Sequence, residues 1–268
     1  MTAEEPDAPV LFKLASDVIA AVSASVVISP IVAMFDRAIT KNASGRAKLL
    51  PSLVDSLKGF ATAPGAFMRS PSFGWLWLVY AATFSAANVS DTSCKSPIPK
   101  VVTTTLANTG TGVMKDRAFA LRYGQPSAPR ALPAACYGFW LSRDALAMGF
   151  IFTMPPTVTS TLRAAFASGP PPSDPDERAD DDEKWRTRAM LACPIVSQFA
   201  TTPLHLLGLD VYNRPRGVTP AERGAFLARE MPVTLSARVA RIFPAFSVGG
   251  VLNAKLRAHM HSAATRLG

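Results

Sequence analysis

The chain is poor in charge, in cysteine and in histidine. Asp, Glu, Lys and Arg make up 18% of its 268 residues, against roughly 25% in an ordinary soluble domain. Apolar residues make up 49%, which excludes a disordered tail protein, because disorder requires low hydrophobicity. The three cysteines, Cys94, Cys136 and Cys193, are far apart, form no CxxC pair and are odd in number. Reduced, buried thiols are therefore expected, and neither a disulfide framework nor a zinc or redox centre is. With three histidines no nucleophile–His–acid constellation stands out, and GxSxG, GxxxxGK(S/T) and GxGxxG beside a strand are missing. No enzyme, cofactor or metal site is expected. The opening residues, Met1 to Asp7, are acidic, unlike a secretory signal or a transit peptide, so entry into an organelle would use internal signals and no cleaved presequence.

What charge there is leans to one sign, with 28 Lys and Arg against 19 Asp and Glu and a net charge of +9. A nucleic-acid module would crowd such charge onto one face. Here the basic residues flank apolar runs instead. About 20 mostly apolar residues are needed to cross a bilayer, and six stretches are candidates: 18–35, 73–90, 101–114, 145–162, 189–209 and 242–254. A large soluble helical domain is the competing class. Separate uncharged runs of 18 or more residues are hard to place in 28.5 kDa of soluble protein.

Three segments share an order of features. Ser29-Pro30, Thr109-Gly110-Thr111-Gly112 and Thr202-Pro203 each precede an acid near a helix end, Asp36, Asp116 and Asp210. Each acid is followed by a polar stretch and then by an arginine, Arg69, Arg143 or Arg238, ahead of a second apolar run. The segment 168–188 interrupts this order; its Pro, Asp and Glu content predicts a solvated loop. If the three Asp-to-Arg stretches share one side of a membrane, that side carries 17 basic and 7 acidic residues, and the remainder 11 and 12. Such sorting is expected of loops kept on the untranslocated side.

Three tandem two-helix units with a proline in the odd helices resemble the mitochondrial carrier family, over about residues 17–257. The segment Tyr137-Gly138-Phe139-Trp140 before Arg143 is also similar to that family's matrix-side helix exit. The resemblance implies an all-α membrane protein with six transmembrane helices in three pseudo-threefold repeats and short amphipathic helices on the matrix side. Repeat one would be 1–93, repeat two 94–167, the acidic loop 168–188 and repeat three 189–268. It also implies the mitochondrial inner membrane, with the basic side facing the matrix and Pro30 and Pro203 kinking their helices. The family's Pro-x-acid-x-x-base signature is broken throughout: Val32 and Phe35 follow Pro30, Gly110 and Gly112 replace the proline and acid before Lys115, and His205 and Gly208 follow Pro203.

Broken gate signatures predict a carrier-fold protein that has lost transport. It would serve as an accessory or scaffolding subunit of a respiratory-chain or ATP-synthase type assembly, with the aromatic run Phe73, Trp75, Trp77 and Tyr80 as a contact surface or a lipid-interface anchor. The alternative is a divergent carrier for a small anionic metabolite. Its substrate path would use His205, Lys115, Asp116, Arg143, Asp144, Arg238 and Arg241. The bland readings of these are a hydrogen-bonded structural histidine and local ion pairs at helix ends. Arg37, Lys41, Arg117, Arg122, Arg214 and Arg216 are candidates for anionic headgroups, cardiolipin among them, while His259 and His261 are expected to be solvated. Gly110, Gly112, Gly249 and Gly250 are expected to permit close helix packing. A central cavity open to one side would favour transport; a filled axis would favour the scaffold.

Overall fold

The computed structural model describes residues 10–129, 131–167, 169 and 174–267. Among the described residues there are helices and no strands: α1 (Val10–Ala43), α2 (Leu49–Thr62), α3 (Pro64–Met68), α4 (Pro71–Ser93), α5 (Pro97–Tyr123), α6 (Ala134–Thr153), α7 (Pro155–Phe166), α8 (Pro175–Asn213), α9 (Pro220–Ile242), a π-helical segment (Phe243–Gly250) and α10 (Val251–Leu267). Proline marks where the helices begin. Helices α3, α4, α5, α7, α8 and α9 each have one in the first turn, where its missing N–H is no loss and its fixed φ suits the helix. Ser70, Ser96, Asp174 and Thr219 cap α4, α5, α8 and α9 with side-chain oxygens, and Thr219 and Glu222 cap each other reciprocally. Pro30 lies inside α1, Pro194 and Pro203 inside α8 and Pro232 inside α9. Each removes one hydrogen bond from its helix.

The long helices close into a ring. α1 packs on α4, α4 on α5, α5 on α6, α6 on α8 and α8 on α9, while α9, the π segment and α10 return to α1. Polarity is reversed relative to a soluble protein. Val18, Ile19, Val27 and Ile31 of α1 are exposed on the outside, whereas Ser25, Ser29 and Asp36 of the same helix are buried. A wide exposed apolar surface around a polar interior is what a bilayer selects.

Several expectations change. Three helical stretches are long and apolar enough to cross a membrane, α1, α8 and the rod 220–263, or four if α6 and α7, bent by 59° at their junction, form one span. The six spans expected from sequence are therefore not all present on those terms. α5 carries Lys115, Asp116 and Arg117 among Thr and Asn, and α4 carries Asn88 and Asp91, although both belong to the ring. The threefold layout is also uneven. Only the first connection holds extra helices, α2 and α3; none occurs in 124–133 or 214–219 among the described residues.

The predicted acidic loop is helical from Pro175 onward; residues 168 and 170–173 lie outside the described residues. Asp174 accepts from the N–H groups of Asp176 and Glu177, and first-turn acids suit the positive end of the helix dipole. Arg163 of α7 pairs with Asp181 and Asp182 (2.6 Å to Asp182), so the acids remain solvated on a helix. Of the cysteines, Cys136 and Cys193 are buried but Cys94 is exposed, and all three are free.

Close packing falls on two of the four glycines expected and on others besides. A Cβ on Gly249 would lie 2.8 Å from Ile28, and one on Gly112 3.4 Å from Asp144 Oδ2, while Gly110 and Gly250 face open space. The tightest is Gly208, where a Cβ would lie 2.2 Å from Trp140 Nε1. Trp140 is fully buried in a cluster with Cys136, Leu206, Leu209 and Tyr212 at the basic-loop end of the ring. Gly208→Ala is expected to cost about 1–3 kcal/mol through overpacking, seen as a lower thermal unfolding midpoint in detergent. Gly110→Ala, facing open space, is expected to hold or raise that midpoint.

Candidate functional site

Near the level where the spans give way to the basic loops, four ring helices send charged side chains to the axis. Asp36 of α1 is paired with Lys115 of α5 (2.6 Å) and with Arg241 of α9. Lys115 also touches Asp116 (2.7 Å), which is held by Arg143 of α6 (2.5 Å), and Arg143 in turn holds Asp144 (2.6 Å). The chain Arg241–Asp36–Lys115–Asp116–Arg143–Asp144 is continuous. Its members are at least nine-tenths buried, except for the partly exposed Arg241.

His205 of α8 places Nδ1 2.9 Å from Arg143 Nη1. A guanidinium can only donate, so Nδ1 accepts and His205 is neutral, with its proton on Nε2. Among the described residues Arg238 of α9 has no carboxylate partner. Its Nε donates to Gln198 Oε1 (2.9 Å) and its Nη2 to Thr201 Oγ1 (3.4 Å). Gln198 is fixed for this role because its amide N–H groups bond Pro194 O (3.0 Å) and Ser197 Oγ (3.1 Å).

This charge layer is the floor of a cavity of about 330 Å3. Lys115, Arg143, Asp144, Arg238 and Arg241 form the floor; Leu76, Val79, Phe84, Met148 and Ile151 supply apolar wall, and Tyr80, Thr83, Thr104, Asn108 and Gln198 polar wall. Its far limit includes Ala87 and Lys100. Lys100 is 39% exposed and pairs with Asp91 (2.8 Å), which marks the mouth on the side where α4 ends and α5 begins. On the other side of the layer the axis is filled by the Trp140 cluster. The cavity is thus one-sided.

All seven substrate-path candidates, His205, Lys115, Asp116, Arg143, Asp144, Arg238 and Arg241, meet in this layer. Asp36, Gln198 and Thr201 join them. Asp36 had a signal, a lone acid closing an uncharged run; Gln198 and Thr201 had none beyond their place in an apolar helix. The aromatic run of α4 faces inward rather than forming an outer surface: Phe73 is buried, Tyr80 lines the cavity and Trp77 Nε1 bonds Val22 O (3.4 Å).

The headgroup candidates divide. Arg117, Arg122 and Arg216 are exposed. Arg37 lies over Phe67 and bonds Ser70, Lys41 lies near Tyr123, and Arg214 pairs with Asp210 (2.5 Å). His261 is not simply solvated, since it bonds Asp17 (2.8 Å) together with Arg257 (2.6 Å) at the mouth end; His259 is exposed. Among the described residues no group of His, Cys, Asp and Glu could hold a metal ion.

A sequence model for a protein family described as a probable citrulline exporter matches residues 20–261, nearly the whole chain. The chain belongs to this family. No curated protein and no solved structure matches it. The resemblance to mitochondrial carriers is thereby overturned: prolines inside long helices, charges on the bundle axis and basic loops are general solutions for a helix ring in a bilayer, and the carrier signatures were already broken. The chain is a multi-pass membrane protein of an exporter family, and the accessory-subunit reading has no support. The unfilled axis agrees with transport.

Asp36 is the acceptor shared by α5 and α9; its removal strands Arg241 and leaves Lys115 to Asp116. Asp36→Asn is expected to destabilise by about 3–5 kcal/mol, read from denaturant or thermal unfolding in micelles. Asp36→Asn combined with Lys115→Met should cost less than the sum of the two single changes, because the residues share one interaction.

Proposed function

We propose that the protein exports citrulline by alternating access, with the buried charge layer as the gate on the basic-loop side. The observation that carries this is the one-sided cavity ending on a layer of exchangeable ion pairs, in a chain of a probable citrulline exporter family. A layer closed by ion pairs can open when its members swap partners, and the short polar contacts between helices make that a rigid-body motion. Without the four bases and three acids of the layer, the loops on that side still keep 13 basic residues against four acidic ones. The charge bias supports placing them on the untranslocated side, so that the cavity faces the side to which solute is released. Export then requires the gate to part for loading and to close before release.

The mitochondrial inner membrane was implied by the carrier resemblance and loses that support. Exposed Arg117, Arg122 and Arg216 fit anionic headgroups on the basic side of whichever membrane holds the protein.

Purified protein in liposomes loaded with labelled citrulline is expected to release label faster than protein-free liposomes. No release above that background from a folded, monodisperse sample overturns the reading. Accessibility provides a second check. In a Cys94→Ser background, Ala147→Cys, on the cavity wall, should react with a membrane-impermeant thiol reagent from the mouth side. Citrulline should slow that labelling.

A further inference from the structure

The charge layer is one carboxylate short. Its cations are Lys115, Arg143, Arg238 and Arg241, and its carboxylates Asp36, Asp116 and Asp144; the first, second and fourth cations are paired within the layer. His205 adds no charge, because its Nδ1 accepts from Arg143. Arg238 is the cation left over. It is 5% exposed, and among the described residues its acceptors are the neutral Gln198 and Thr201 and its Nη1 has no hydrogen-bond partner. A buried guanidinium without a counter-ion is costly, and a site retains one where an anion is to arrive.

Acceptors are left over as well. Asp144 Oδ2 and Thr104 Oγ1 are buried and without a hydrogen-bond partner. Gly112 keeps the space beside Asp144 Oδ2 free of a side chain. Arg238, Asp144 and Thr104 wall the same cavity, whose volume falls within the range of small-molecule sites, roughly 300–1,000 Å3. An open donor of positive charge and an open acceptor of negative charge in one cavity have a definite complement. It is a molecule that carries a carboxylate and N–H donors and has no net charge.

Building on the export reading, we propose that this cavity selects neutral zwitterionic amino acids, taking the carboxylate on Arg238 Nη1 and N–H groups on Asp144 Oδ2 and Thr104 Oγ1. Every buried charge then has an opposite neighbour. A cationic amino acid adds a second surplus positive charge to a layer already positive by one. A dicarboxylate satisfies Arg238 but sets a like charge against Asp144. Neutral side chains such as a ureido group lie along the mixed wall of Thr83, Thr104, Asn108 and Met148.

The test is calorimetric titration of the full-length protein in detergent with citrulline, arginine, succinate and the amine left when citrulline loses its carboxylate. Citrulline is expected to bind at least tenfold tighter than each of the others. Arg238→Gln should weaken citrulline by about 10–100-fold, the range of one charge-assisted hydrogen bond, while Arg238→Lys retains part of the affinity. Arg238→Gln should also unfold no earlier than the wild type without ligand, since it removes an uncompensated charge; a purely structural arginine would give a lower midpoint.

Equal binding of citrulline and its decarboxylated analogue overturns the proposal, as does preference for succinate or wild-type affinity in Arg238→Gln. The ligand comparison needs no variant, so a variant that fails to fold does not remove the test. If the wild type releases citrulline from liposomes but fails these comparisons, the recognition mode falls and export stands. If it neither binds nor moves any of the four, both fall.

Discussion

Charge inside an apolar ring is costly unless it is paired, and that cost organises this protein. A bare ion loses several kcal/mol on leaving water even after relaxation, so the axial charges other than Arg238 are supplied with partners. Asp36, Lys115, Asp116, Arg143, Asp144 and Arg241 meet that demand only jointly, on four helices drawn to one level. The layer therefore sets helix register as much as it adds stability. A shift of α5 by one turn would part Lys115 from Asp36 and Asp116 from Arg143.

The two sides of the layer are built differently. Toward the basic loops the axis is apolar and filled, with Trp140 seated over Gly208 and packed on Leu206 and Leu209. Toward the mouth the wall mixes apolar side chains with hydroxyl and amide groups around unfilled space. A scaffold would have little reason to keep that space empty, whereas a solute path requires it. The mouth end has its own clasp: Asp17 of α1 holds Arg257 and His261 of α10, and Asn88 of α4 and Asn253 of α10 bond each other (3.0 Å). Through Asp91, which pairs with both Arg257 and Lys100, the clasp reaches α5 as well.

The charge layer was more legible in the sequence than the fold around it. Charges interrupting or closing uncharged runs stand out, because their burial cost makes them rare; hence His205, Lys115, Asp116, Arg143, Asp144, Arg238 and Arg241 could be singled out from one chain. Gln198 and Thr201 could not, since neutral polar residues in apolar helices carry no comparable signal. The acidic segment misled because composition reports solvation rather than backbone conformation; Asp174, Pro175 and first-turn acids form a helix start within it. The family was misread because proline, axial charge and basic loops answer constraints shared by unrelated helical transporters. Asp36 was visible as a helix-end acid, but that it bridges α5 and α9 is a property of ring closure alone.

α8 is 39 residues long, about 58 Å at 1.5 Å per residue, nearly twice the roughly 30 Å hydrocarbon core. Its charged N-terminal turns and its more buried C-terminal part are one rod. Two prolines, Pro194 and Pro203, bracket the short stretch that carries Gln198 and Thr201. Each proline leaves the rod softer at that point, while the stretch between them keeps its own geometry. Leverage applied to the projecting end outside the bilayer would bend the rod at these two joints and carry the Arg238 acceptors as a unit, making α8 a crankshaft between the aqueous face and the floor of the cavity.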